Sequence, residues 1–355
     1  MKVVFLGLSV TSAWGNGHAT NYRALMRAFE AAGHDVVFLE RDVPWYAAAR
    51  DLPEPPWGTT HLYHSVAELR DRFGLTIAEA DLAVVGSYVP EGVAVAKLVL
   101  ERARGITAFY DLDTPVTLGK LERGDTEYLA PELVPRFDLY LSFTGGPTLG
   151  LLEERWGARS AHAFYCLVDP DAYDVVDAEQ RWDLGYLGTY SDDRQPQVEE
   201  LLITPARLAP DCRFVVAGPQ YPNTIVWPPN VELRDHVAPA DHPAFYGAQR
   251  LTLNVTRADM RRAGWSPSVR LFEAAACAVP VVSDRWPGIE DIFEPGEEIL
   301  LADSADDVLL FMHSLGDDEA AAVGKRARKR VLADHTAERR VEQLAALTAA
   351  TAGAR

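Results

Sequence analysis

At 355 residues, with 48% apolar and 24% charged side chains, the chain is long enough for two domains with filled cores. Its net charge of −18 argues against an extended nucleic-acid footprint, which needs a basic face. Three scattered cysteines, Cys166, Cys212 and Cys277, fit neither a disulfide framework nor a zinc site.

The apolar start, residues 2–10, is too short for a signal sequence or a membrane helix, so a cytoplasmic location without integral membrane contact is expected. Residues 3–6 read as a first strand, followed by a polar loop carrying Gly15-Asn16-Gly17-His18. Thr20 is placed as the cap of a helix whose apolar face is Tyr22, Leu25, Met26 and Phe29, and Gly33 stops it. Residues 36–39 form the second strand, and residues 44–57, with Pro53, Pro55 and Pro56, a loop. Further strands at 82–85, 107–110 and 139–142, with helical stretches between, give the alternation of a parallel sheet. The first loop sits where open α/β sheets bind ligands, but Thr20 occupies the third glycine position of a dinucleotide fingerprint. NAD binding is disfavoured on that ground. Asp111-x-Asp113 ends another strand, and two carboxylates alone make a poor divalent site, so no metal is assigned.

The rhythm restarts after Asp169-Pro170, and the acidic stretch 169–183 is the expected hinge. Strands at 184–187, 213–216, 251–254 and 278–282 build a second α/β unit. The most informative stretch is 266–283. Ser266 is a good N-cap and Pro267 suits the first helical position. Leu271, Phe272, Ala275 and Ala276 give that helix an apolar face, and Pro280 ends the pattern. Arg270 and Glu273 lie three residues apart on one face, with the arginine near the positively polarised helix start. An anion site beside a carboxylate able to grip a diol matches the phosphate and ribose of a nucleotide-sugar. The basic run 325–330 reads as a solvated helix face.

This segment resembles the donor-binding core of GT-B glycosyltransferases, and within them the spore-maturation (CgeB-like) branch, whose "RLFE" run stands here as Arg270-Leu271-Phe272-Glu273. The likeness continues through Ser283-Asp284, Phe293 to Gly296, Glu298 and Asp334-His335-Thr336, and spans roughly residues 180–340. Two positions depart from the pattern: Ala278 stands where a glycine is usual, and Trp265 where many retaining relatives carry a second glutamate. The resemblance implies an α/β fold of two Rossmann-like domains facing a cleft. Residues 1–170 would bind the acceptor and 171–335 the donor, and a helix over 336–355 would pack back on the first domain.

The resemblance further implies a metal-independent hexosyltransferase, with a nucleoside-diphosphate sugar as co-substrate and no other cofactor. Glu273 would take the ribose. Arg194, Arg270 and the helix start at Ser266 and Ser268 would meet the diphosphate, beside Gly188 and with help from Arg257. The segment at His236 would read the base through its backbone. The Gly17-His18 start is similar to sugar transferases acting on small acceptors, which makes His18 the base, with Asn16, Gly17 and Asp113 on the acceptor side. Asp111 is then either an acceptor contact or a helper to His18. The acceptor is expected to be a small molecule or glycan, and homodimerisation is left open. A sugar-nucleotide epimerase of the same fold and a non-catalytic nucleotide-sugar-binding protein are the rival readings.

Overall fold

The computed structural model describes residues 1–354 and divides into two compact units, Met1–Cys166 together with the segment from Ala337, and Leu167–Thr336. The first carries a seven-stranded parallel sheet of β1 (Lys2–Gly7), β2 (Asp35–Arg41), β3 (Thr59–Tyr63), β4 (Leu82–Gly86), β5 (Ile106–Asp111), β6 (Leu139–Ser142) and β7 (Ala161–Ala163), in the order β3-β2-β1-β4-β5-β6-β7. The second carries β8 (Trp182–Leu187), β9 (Phe214–Ala217), β10 (Val231–Arg234), β11 (Gln249–Asn254), β12 (Val281–Asp284) and β13 (Leu300–Ala302), in the order β10-β9-β8-β11-β12-β13. Inner strands such as VVFL in β1 and LAVV in β4 are buried on both faces, and their side chains form the core with the covering helices. Leu184, Tyr186, Val216 and Leu253 do the same in the second unit.

Four strands escape the sequence pattern: β3, β7, β10 and β13. They are the two edges of each sheet. An edge strand pairs on one side only and is less covered, as in VELR of β10, where only Val231 is buried, so it lacks the continuous apolar run of an inner strand.

The first helix runs His18–Ala31 and buries Tyr22, Leu25, Met26 and Phe29. It begins two residues before Thr20, whose hydroxyl donates back to the Gly17 carbonyl at 3.2 Å instead of capping. Gly33, at φ 78°, ends it in the left-handed conformation that glycine adopts without penalty. The last helix, Ala337–Gly353, lies against this first helix within the first unit. Arg340 and Gln343 fix it by donating to the Tyr165 and Ala163 carbonyls at 3.0 and 2.8 Å.

In the second unit the stretch before β8 packs inward through Tyr173. The helix expected from Ser266 starts at Val269 and ends at Ala276, so Ser268 is its N-cap. Ala278 has φ 57°, which explains why the related pattern carries glycine there. Among the described residues no disulfide forms, and no helix is long and apolar enough to cross a membrane.

Candidate functional site

In an open parallel sheet, ligands bind beyond the carboxyl ends of the strands where the strand order reverses. The second sheet reverses between β8 and β11. Gly188 follows β8, Asn254 ends β11, and Ser268 and Arg270 open the helix Val269–Ala276. Arg270 is 8% exposed. Its guanidinium lies over the Tyr186 ring at 4.8 Å and donates to the Leu187 carbonyl and, at 2.9 Å, to Asn254 Oδ1. Ser268 donates to the same Asn254 oxygen at 2.7 Å. Among the described residues no carboxylate lies within ion-pair distance of Arg270. A buried cation whose hydrogen bonds all go to neutral acceptors is costly, and an incoming anion in direct contact relieves that cost.

Arg194 adds a second guanidinium at the same tyrosine, with Nη1 3.5 Å from the Tyr186 hydroxyl and 3.3 Å from the Thr189 carbonyl. Its Nε is buried without a protein partner. Gly188 leaves room for these side chains: a Cβ there would lie 2.8 Å from Arg270 Nη2 and 2.6 Å from the Tyr186 hydroxyl, and both would have to shift. Arg257, expected at phosphate, is instead paired with Asp193 at 3.4 Å, and Asp193 also accepts from the Ala258 N–H at 3.1 Å.

Glu273, one turn along from Arg270, is 4% exposed and accepts from the Tyr246 hydroxyl at 3.3 Å. Burial pushes its carboxyl upward. Hydrogen bonding and charge from His242, a hydrogen bond from Tyr173 and the Arg270 charge outweigh that and hold it below the ordinary glutamate value. It is therefore an ionised acceptor at neutral pH. Ser266 is buried, while His236 is exposed on the loop after β10. Beyond β9 and β10 a cavity of about 310 Å³ is lined by Gly218, Tyr221, Trp227, Arg234 and Asp235 among others. The Tyr221 hydroxyl donates to the Gly188 carbonyl at 3.0 Å, joining that wall to the arginine site. Trp265 fills the position of the missing glutamate. Its indole donates to Asp291 at 2.5 Å and its ring covers Gly288, an anchoring role.

The first sheet reverses between β1 and β4. His18 stands at the end of the loop after β1 and Tyr88 in the loop after β4, their rings 5.5 Å apart edge to face. Tyr88 has φ 63°, an uncommon conformation for a bulky residue, and its hydroxyl donates to Asp113 Oδ2 at 3.1 Å. Burial pulls the His18 imidazole below its ordinary 6.5, and the Asp113 charge acts against that pull. His18 Nδ1 is buried without a protein partner.

The carboxylate acting on His18 is thus Asp113, and Asp111 proves to be a framework residue. Asp111 is fully buried and accepts from the Tyr140 hydroxyl at 2.6 Å, the Thr117 hydroxyl at 2.7 Å and the Asp113 N–H at 3.3 Å. Burial pushes it up to about 6 against those hydrogen bonds. Asn16 is a loop organiser: its amide donates to the Ser9 and Ser12 carbonyls, and its oxygen accepts from the His18 N–H at 3.0 Å. Gly17 is exposed beside it.

That loop hangs from Glu40, at the end of β2. The buried carboxylate accepts from the Ser9 hydroxyl (3.0 Å), the Val10 and Thr11 N–H groups (2.7 and 3.0 Å) and the Thr11 hydroxyl (2.6 Å). Glu40→Ala strands four buried donors, so chemical denaturation should show a loss of about 3 kcal/mol or more. A loss under about 0.5 kcal/mol, the usual surface value, would show that the loop does not depend on this carboxylate.

Residues 194–346 match a family model described as glycosyl transferase-like. A search of curated proteins gave no match to this sequence. Among solved structures, sucrose-phosphate synthase from Thermosynechococcus elongatus superposes with a TM-score of 0.70 at 13% identity, covering 100% of both chains. HepE of Anabaena, solved with UDP and glucose, gives 0.71 at 14%, covering 99% of this chain and 100% of its own. An alpha-glucosyltransferase solved with UDP and a DNA 13-mer gives 0.73 at 13%, covering 98% and 99%. The fold is that of GT-B glycosyltransferases, and the site at β8 and β11 lies largely within the glycosyl transferase-like region.

Proposed function

We propose that this chain is a glycosyltransferase that moves a hexosyl group from a nucleoside-diphosphate sugar to an acceptor hydroxyl, akin to the spore-maturation branch. One observation carries the reading: Arg270 is a buried guanidinium, with no carboxylate at ion-pair distance among the described residues, at the strand switch point of the glycosyl transferase-like unit. Arg270 and Arg194 take the diphosphate, the former through a guanidinium fork that suits phosphate oxygens. Glu273 accepts from the ribose hydroxyls, and the cavity beside Tyr221 and Trp227 takes the base. As the acceptor oxygen bonds to the anomeric carbon, the sugar–phosphate bond breaks and its electron pair leaves with the diphosphate. The arginines stabilise that developing charge, and His18 of the first unit removes the acceptor proton.

HepE has been solved with UDP-glucose, which makes UDP-sugars the first donors to try. DNA is present with one structural neighbour, but a net charge of −18 repels a polyanion and favours a small-molecule or glycan acceptor. The Trp265 substitution favours, as a second reading, a protein that binds nucleotide-sugar without turnover.

Glu273→Gln tests the donor site. The amide keeps the shape but weakens charge-assisted bonds to two hydroxyls, so UDP affinity by calorimetry should fall about tenfold or more. Unchanged affinity in a folded variant would reduce Glu273 to a framework residue. Binding without turnover across many acceptors would favour the second reading.

A further inference from the structure

Glu273 is served by side chains from two other segments of the second unit. Tyr173 comes from the stretch before β8, while His242 and Tyr246 lie one turn apart on the helix His242–Gly247. Arg270 and Cys277, from the helix of Glu273 and its C-terminal cap, also face the cluster, and the Arg328–Asp174 pair lies beyond Cys277. The His242 ring is its hub. Nε2 lies 3.3 Å from the Val237 carbonyl oxygen, which can only accept, so this nitrogen carries a hydrogen and donates. Nδ1 lies 3.1 Å from the Tyr173 hydroxyl and 3.7 Å from Glu273 Oε2. The ring packs against Tyr173 and Tyr246 at 6.0 and 6.2 Å between centroids. One imidazole therefore reaches the backbone of the loop after β10 on one side and the carboxylate of the helix Val269–Ala276 on the other.

We infer that His242 is a positioning residue that holds the Val237 loop and the Glu273 carboxylate at the spacing of one nucleoside. The inference rests on the donor-site reading, in which Glu273 meets the ribose and the base lies in the cavity lined by Tyr221, Trp227 and, at the start of that loop, Asp235. Glutamate has three side-chain torsions, and accepting from two vicinal hydroxyls demands a fixed carboxylate plane. Tyr246 and His242 both approach Oε2, which pins the last torsion. The anchor of His242 at Val237 transmits the position of the loop to that plane. A histidine serving only to fill space would be replaceable by phenylalanine.

Two measurements on the full chain test this. The first follows the Glu273 carboxyl by carbon-13 NMR, its signal assigned by its loss in Glu273→Gln. His242→Phe keeps the ring packing and removes both nitrogens, so the Glu273 midpoint should rise, because burial persists without the opposing imidazole. His242→Gln, whose amide can both donate and accept, should restore part of the shift. The second compares UDP with 2′,3′-dideoxy-UDP by calorimetry, with the matching ADP and GDP pairs run alongside. The parent should prefer the ribose compound, and His242→Phe should cut that preference about tenfold while the dideoxy affinity stays within about a factor of two. An unmoved Glu273 midpoint, or equal losses for both ligands, overturns the inference. A parent that binds none of the nucleotides overturns the donor-site reading instead, and the titration still decides whether His242 controls Glu273.

Discussion

His18→Ala is expected to lower turnover by about two to four decades while leaving nucleoside-diphosphate affinity within about a factor of two. The split follows from placement: His18 opens a helix at the switch point of the first sheet, and the groups proposed to bind nucleotide belong to the second. A general base must be neutral to accept a proton. Burial pulls the imidazole below its ordinary 6.5, so the neutral form persists to lower pH than in a solvated histidine. The acid limb of the kcat profile should accordingly fall below that value. Asp113 raises the imidazole by its charge, so Asp113→Asn should move the limb to still lower pH. A shift to higher pH would contradict this geometry. Turnover of His18→Ala within a few-fold of the parent would remove His18 as base, and a retained anomer would argue against direct displacement.

The parts of this molecule legible in its sequence are those encoded locally. Inner strands announce themselves as apolar runs, and the 266–283 segment shows Arg270 and Glu273 because helical spacing puts them on one face. What was missed depends on partners distant in sequence. Edge strands such as β10 bury fewer residues than inner ones and give a weaker signal. Glu40 looks like a polar residue ending a strand, yet it holds the loop 29–31 residues before it. Asn254 ends an apolar strand at the reversal of the sheet, a place with meaning only once strand order is known. Tyr88 and His242 meet His18 and Glu273 through tertiary packing alone. Asp111 is the last residue of β5 and Asp113 lies beyond it as the N-cap of the next helix, so the end of the strand between them leaves one in the framework and the other on the side of His18.

Arg270 separates ligand binding from folding more sharply than any other residue. Arg270→Met removes a buried cation that contacts only neutral acceptors, the Leu187 carbonyl and Asn254 Oδ1, and acts on Glu273 by its charge without an ion-pair contact. Removing such a charge is close to neutral for the unliganded fold, so unfolding free energy should stay within about 1 kcal/mol of the parent. The same variant should lose about two decades or more of UDP affinity, because a guanidinium–phosphate contact is charge-assisted and shielded from water. Arg270→Lys keeps the charge but not the fork that reaches both neutral acceptors, and should weaken UDP about tenfold while leaving uridine nearly unaffected. An arginine that merely supported the fold would give the converse, a large loss of stability with equal losses for uridine and UDP. With cations assigned to the diphosphate, activity should also survive exhaustive chelation. If chelator abolishes activity and magnesium or manganese restores it, the metal-free assignment falls. Asp113 then becomes the first ligand to test, since Asp111 is already committed to Tyr140 and Thr117.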